Sequence, residues 1–173
     1  MGNLLTAAQV RLLCRPISTH YDDTRIEMFI PEAEQLDVKP ILGEQMYIDL
    51  LEAQTGTTLS VNQVLLLDGG IYTVENRKYI FKGLKVAISY FVYSRLIRNA
   101  DGQLTRFGFV DKNLNESDRP QLKEKLVAAD DAAKSGNAYL NEVLQLIKLN
   151  DMDEVYVHPD KSKRTYTINA IGD

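Results

Sequence analysis

Few residues in this chain have the type and spacing that chemistry requires. The histidines are His20 and His158, far apart, and the one cysteine is Cys14. No HxxxH or CxxC pairing arises from them, so the sequence argues against a zinc site. A single cysteine allows no intrachain disulfide and fits a reducing compartment. Cys14 lies in an apolar stretch and reads as a small core residue rather than a reactive thiol. Two carboxylate pairs occur, Asp22-Asp23 and Asp130-Asp131. Neighbouring residues on a helix point in different directions, so neither pair forms a site alone. Helix capping is expected of the first and a solvated face of the second.

The acidic run Asp151-Met152-Asp153-Glu154 lacks the twelve-residue ligand pattern and central glycine of a calcium loop. The sequence contains no GxxxxGK[ST], GxGxxG or GxSxG motif. We therefore expect no enzyme activity, cofactor or metal. Lys161, Lys163 and Arg164 form the densest basic cluster. It suits phosphate or an acidic protein, and equally a soluble turn. Nine tyrosines without tryptophan are compatible with interfaces.

The 173 residues favour one domain with an appended arm, and 45% hydrophobic content suffices for a packed core. The net charge of −4 gives no overall drive toward nucleic acid. Residues 1–11 lack the charged start and long apolar core of a signal peptide, although Met1-Gly2 with Thr6 fits the loose myristoylation pattern.

The elements that must position any site are mostly helical. Residues 79–97 are apolar or aromatic at 13 of 19 positions and keep to no single stripe. Ile80, Leu84, Ala87 and Phe91 mark one face; Phe81, Ile88, Val92 and Leu96 mark the next. A helix apolar almost all round is buried on most sides. Lys82 and Lys85 oppose a membrane span, because a central charge is costly in lipid. We expect a central helix over about 74–98, capped by Thr73, in a soluble bundle.

Before it, Thr6 caps a helix over 7–14 that turns Val10 and Leu13 inward and ends at Pro16. Ile26, Phe29, Ile30, Ala33 and Leu36 follow helical spacing, interrupted by Pro31 and closed at Lys39-Pro40. Pro40 opens a further helix to about 53, with Ile41, Leu42, Met46, Tyr47, Leu50 and Leu51 on its apolar face. Residues 55–58 read as a loop, 61–67 as a short helix or loop, and Asp68-Gly69-Gly70 as a turn.

After the central helix, 103–117 shows no helical period and reads as a long loop pinned by Phe107 and Phe109. Ser117 or Asp118 caps a last helix in which Leu122, Leu126, Ala129, Ala133, Leu140, Val143 and Ile147 recur. Ala128, Ala129, Ala132, Ala133 and Gly136 permit close packing on the central helix. Residues 151–173 then form a β-hairpin or extended arm, with Val155, Tyr156 and Val157 before the basic turn and Thr165 to Ile168 after it. The division is a helical body over 1–150 and an arm over 151–173. An isolated hairpin is marginal in water, so the arm needs the body or another subunit to rest on.

Several stretches share an order and spacing with a known group: Arg15-Pro16-Ile17-Ser18; Ile30-Pro31-Glu32-Ala33-Glu34; Leu36-Asp37-Val38-Lys39-Pro40-Ile41-Leu42-Gly43; Tyr47-Ile48-Asp49-Leu50-Leu51; Tyr79; Gly83-Leu84-Lys85; Tyr90 to Arg95; Thr105-Arg106-Phe107-Gly108; and Asn137-Ala138-Tyr139-Leu140-Asn141-Glu142-Val143. The chain thereby resembles the helical head–tail connector (neck adaptor) proteins of tailed phages, in the version found in phages and prophages of Bacteroides-type bacteria. The resemblance covers about 15–147. Pro31 departs from the glutamate or alanine usual at its place.

The resemblance implies a structural subunit of the virion neck, made in the bacterial host cytoplasm. It implies a ring, dodecameric in the family, that docks beneath the portal and carries the tail or further neck proteins below. DNA would pass through the lumen without specific binding, and no membrane is involved. A ring of head-to-tail contacts needs two different surfaces on each subunit. The candidate interface residues are Phe107, Phe109, Val155, Tyr156, Val157, Lys161, Lys163, Arg164, Tyr166 and Ile168. A helical DNA-binding regulator is the alternative. Its helix–turn–helix would lie over 36–51, where Lys39 is the one positive charge.

Overall fold

The computed structural model describes residues 2–19, 21–56, 59–74, 76–99, 102–105, 108–111 and 122–149; at Val74, 102–105, 108–111 and Leu122 it describes the backbone alone. The fold is mainly α. Helix α1 (Ala7–Leu13) starts at a reciprocal cap: the Thr6 hydroxyl accepts from the Gln9 amide, and the Gln9 side chain accepts from the Thr6 amide at 3.0 Å. Helix α2 (Asp23–Ala33) is capped by Asp22, which accepts from the Arg25 amide at 2.8 Å. Asp23 pairs with Arg11 of α1 at 2.8 Å and ties the two helices together. The first acid pair thus does what capping chemistry asks of it.

Pro31 does not end α2. The chain passes through it into one wide π turn (Glu34–Val38), in which the Lys39 amide donates to the Glu34 carbonyl. Lys39 keeps a helical backbone although a proline follows, and α3 (Lys39–Leu42) runs on to Gly43 at φ +87°. The expected stop at Lys39-Pro40 is therefore corrected to Gly43, where the left-handed backbone favours glycine. The wide turn has a physical reason. Ile26, Ile30, Glu34, Val38 and Leu42 recur every fourth residue and are all buried. In an α-helix such a repeat drifts about 40° per step. A single i to i+5 turn offsets that drift and keeps all five residues on the core. Leu36, expected inside, is consequently 66% exposed.

Helix α4 (Glu44–Thr55) buries Met46, Tyr47, Leu50 and Leu51, so the helix expected to run from Pro40 is broken once, at Gly43. Residues 61–67 are helical: α5 (Val61–Asp68) begins at a Ser60–Gln63 capping box. The largest correction follows. Residues 70–81 are an antiparallel hairpin, β1 (Gly70–Val74) and β2 (Arg77–Phe81), joined through Asn76 at φ +63°. The central helix α6 (Leu84–Asn99) starts ten residues later than the expected 74. Ile80 stands on the outside of the hairpin, and Phe81 is buried. The β-branched and aromatic residues of 71–74 and 79–81 favour a pleated ribbon over a helix start.

The expectation for α6 itself holds. Its buried positions go round the helix: Leu84, Ala87, Ile88, Phe91, Val92 and Leu96, with Lys85, Ser89 and Ser94. Each polar member has a partner. Lys85 pairs with Asp68 at 2.7 Å, Ser89 donates to the Lys85 carbonyl, and Ser94 donates to the Ala129 carbonyl at 2.8 Å. Among the described residues no helix is long and apolar enough to cross a membrane.

Part of the expected loop over 103–117 is instead paired: β3 (Gly102–Thr105) lies antiparallel to β4 (Gly108–Asp111). The last helix, α7 (Leu122–Leu149), packs along α6. Its small residues do what their spacing implies. Ala129 and Ala132 are buried, and a Cβ at Gly136 would lie 2.9 Å from the Phe91 ring. Leu126, placed inward by spacing, is exposed. Asp130 and Asp131, expected simply to be solvated, pair with Arg98 and Arg15. The expected cap at Ser117 or Asp118 and the arm over 151–173 lie outside the described residues.

The Gly136 contact generates a prediction. Gly136→Leu overpacks the crossing and should lower unfolding stability by about 1–3 kcal/mol. Urea denaturation measures it; an unchanged midpoint would show that the two helices are not seated this closely.

Candidate functional site

The π turn carries two polar constructions, one sealed and one open. The sealed one is Glu34, which has no solvent exposure. Its carboxylate accepts from the Leu4 amide at 2.8 Å and from the Tyr47 hydroxyl at 2.8 Å, and the Gln35 side chain reaches the same hydroxyl at 3.4 Å. These bonds join the segment before α1, the π turn and α4. Burial is the main cause holding the Glu34 carboxyl above its usual range, opposed by the hydrogen bonds from Tyr47, Leu4 and Leu5. Burial, and then the neighbouring Glu34, raises the Tyr47 phenol in turn. A carboxylate so enclosed presents nothing to a substrate. It anchors the N-terminal segment.

The open construction is a cleft of about 420 Å³ between the π turn, α3, α6 and α7. Leu36, Pro40, Ile41 and Phe91 give it apolar walls. Arg95 stands in it and binds Asp37 and Glu32, while Arg98 binds Asp130. Both guanidiniums already have carboxylate partners, so the cleft is poorly suited to a free phosphate. An apolar side chain rimmed by paired charges is what fits it, as in the centre and rim of a protein interface. Leu36 lies at this cleft and is among the most exposed large apolar residues of the body.

Cys14 is half-buried, and burial pushes its thiol up to about 11. That suits the inert role expected of it, because the thiolate is the nucleophile. Among the described residues no cluster of histidine, cysteine and acids could hold a metal ion.

Of the candidate interface residues, Phe109 alone falls among the described residues. Phe109 lies on β4, opposite Leu104. Phe107, Val155, Tyr156, Val157, Lys161, Lys163, Arg164, Tyr166 and Ile168 lie outside the described residues. Sequence reasoning missed Glu34, Arg95 and the exposed Leu36. The fourfold repeat from Ile26 to Leu42, with an acid at its centre, was the available signal for the first and third.

Glu34 yields a pH prediction. Its folded value is raised, so its contribution is fully present below the ordinary glutamate range, about 4.3, and is lost as pH rises through the raised value. Glu34→Gln keeps an acceptor for Leu4 but carries no charge. Relative to the parent, this variant should gain stability as pH rises from about 4 toward neutrality. Denaturant midpoints across that range measure the difference; a constant difference would contradict the assignment. Glu34→Leu should cost about 1–3 kcal/mol for each partner left unpaired.

Comparison with curated proteins gives no match, and comparison with solved structures gives none. A family profile described as "Family of unknown function (DUF6712)" matches residues 38–165. The match begins at the end of the π turn and takes in α3 to α7, including the walls of the cleft on α3, α6 and α7. It spans most of the chain, and the protein belongs to the DUF6712 family.

Proposed function

We propose that the protein is a structural head–tail connector subunit of a tailed-phage neck, which forms a ring joining the portal to tail or lower neck proteins. The carrying observation is a convergence. The stretches that resemble the connector proteins are far apart in sequence, and three of them meet in one cleft. Leu36, Asp37, Pro40 and Ile41 come from the first, Phe91, Ser94 and Arg95 from the second, and Asn137 from the third. An open cleft with an exposed leucine supports the reading of one ring surface. The arm residues Lys161, Lys163, Arg164, Tyr166 and Ile168, reaching a neighbour by strand addition, would provide the other. The regulator alternative has less behind it: Lys39, the positive charge on its turn, is already paired with Glu44 at 2.7 Å.

The test mixes the purified chain with the portal of the same phage and examines the product by size exclusion and electron microscopy. A ring stacked on the portal is expected. Leu36→Asp changes an exposed side chain, so its effect on monomer stability should stay within about 0.5 kcal/mol. It should nevertheless abolish the ring. Failure of the parent to bind the portal would overturn the adaptor reading, and an intact ring from the variant would overturn the role of the cleft.

A further inference from the structure

The π turn lines up a second set of residues, on the outside. Thr24, Met28, Glu32, Leu36 and Pro40 also recur every fourth residue, and all of them are exposed. The wide turn that offsets the drift of the buried set keeps these on one outer ridge. Along it, apolar Met28 and Leu36 stand either side of Glu32, and Leu36 and Pro40 are walls of the cleft. The ridge is acidic: residues 22–38 hold five acids besides the buried Glu34, against Arg25 alone. Arg95 is shared by Glu32 and Asp37, so that group keeps one negative charge.

At the other end of α6, hairpin β1–β2 offers the opposite pattern. Ile71 and Ile80 are cross-strand partners, 65% and 70% exposed. Thr73 and Lys78 are the next pair on that face, and both are exposed. Arg77 and Lys82 add exposed positive charge nearby. The outer edge of β2 is taken by α7, where Glu142 holds the Lys82 amide, but the face itself is open. The hairpin is rooted at the start of α6 by the close approach of Gly69 and Gly83. Arg95, in the cleft, lies about 16 Å further along that helix than Leu84. The chain's own hairpin lines no part of its cleft.

We propose that the cleft and ridge of one copy receive the outer face of the β1–β2 hairpin of the next copy, head to tail. Ile80 packs on Leu36, and Ile71 enters the cleft beside it. Lys78, about 7 Å from Ile80 along its strand, then meets Glu32, about 6 Å from Leu36 along the ridge. The spacings match and the charges are opposite. One chain carries both halves at separate places, as a head-to-tail contact requires. The proposal rests on the reading of the cleft as a ring surface and names what enters it; the arm would be a second contact between the same neighbours.

The test uses two full-length chains, one with Cys14→Ser and Leu36→Cys, the other with Cys14→Ser and Ile80→Cys. They are mixed in equal amounts on the portal and treated with a short bis-maleimide. A crosslink between positions 36 and 80, found by peptide mapping, necessarily joins two copies, and it is the expected product. A ring that forms without this link would overturn the hairpin's place and leave the neck reading standing. If the parent chain forms no ring, the neck reading fails, and the same two chains without portal, at high concentration, decide. The 36–80 link then upholds the head-to-tail contact, and its absence overturns it. Should the cysteine chains not fold, or not assemble where the parent does, Lys78→Glu in the parent decides. About tenfold weaker assembly is expected of it; equal assembly would overturn the proposal.

Discussion

The whole arrangement depends on how closely α6 and α7 approach. Phe91 occupies space that any side chain at position 136 would claim. Ser94 reaches the Ala129 carbonyl across the same seam, and Tyr90 meets Tyr139 with ring centroids 5.3 Å apart. With α7 on one side, α6 still has α1, α2 and α5 around it. A helix enclosed in this way can carry apolar residues on nearly every face. Its few polar groups must find partners inside, because an unpaired buried polar group costs about 1–3 kcal/mol. Lys85, Ser89 and Ser94 all do.

A second constraint fixes the near end of the chain. Glu34 is a carboxylate in the core, held by a main-chain amide before α1 and a phenol on α4. Such a group favours a defined arrangement more than it adds stability, since burying it carries a desolvation cost. The π turn sets Glu34 in place and, by the same change of helical phase, turns Leu36 outward. One local distortion therefore produces both the sealed anchor and the exposed residue at the cleft. Hairpin β1–β2 is held by its base: a Cβ at Gly69 would collide with Phe81 and Lys82, and one at Gly83 with Gly69. Both glycines have positive φ, so neither position tolerates a side chain without strain.

Much of this architecture was legible in the residues. Thr6, Asp22 and the small residues of α7 announced their roles through capping chemistry and spacing. The hairpin was not read, because Ile80 and Phe81 continue the apolar run of α6 and mimic a helical face with Leu84. Strand preference in 71–74 and 79–81 competed with that periodicity and prevailed. The π turn escaped a reading that assumed 3.6 residues per turn throughout, although the fourfold repeat through Glu34 encodes it. The cleft was out of reach for a different reason. Its walls come from residues 36–41, 91–98 and 133–137, and nothing local in any of them specifies the meeting.

The proposed neck role requires the cleft to be a contact surface between subunits, set on a body whose described residues share one packed core. Hydrogen exchange of the full-length protein, alone and in the mixture with the portal, tests that most directly. Slower exchange on assembly is expected in peptides over 36–42 and 91–98, with 84–90 of α6 and 140–147 of α7 unchanged. An assembled ring whose cleft peptides exchange as fast as in the free chain would contradict it.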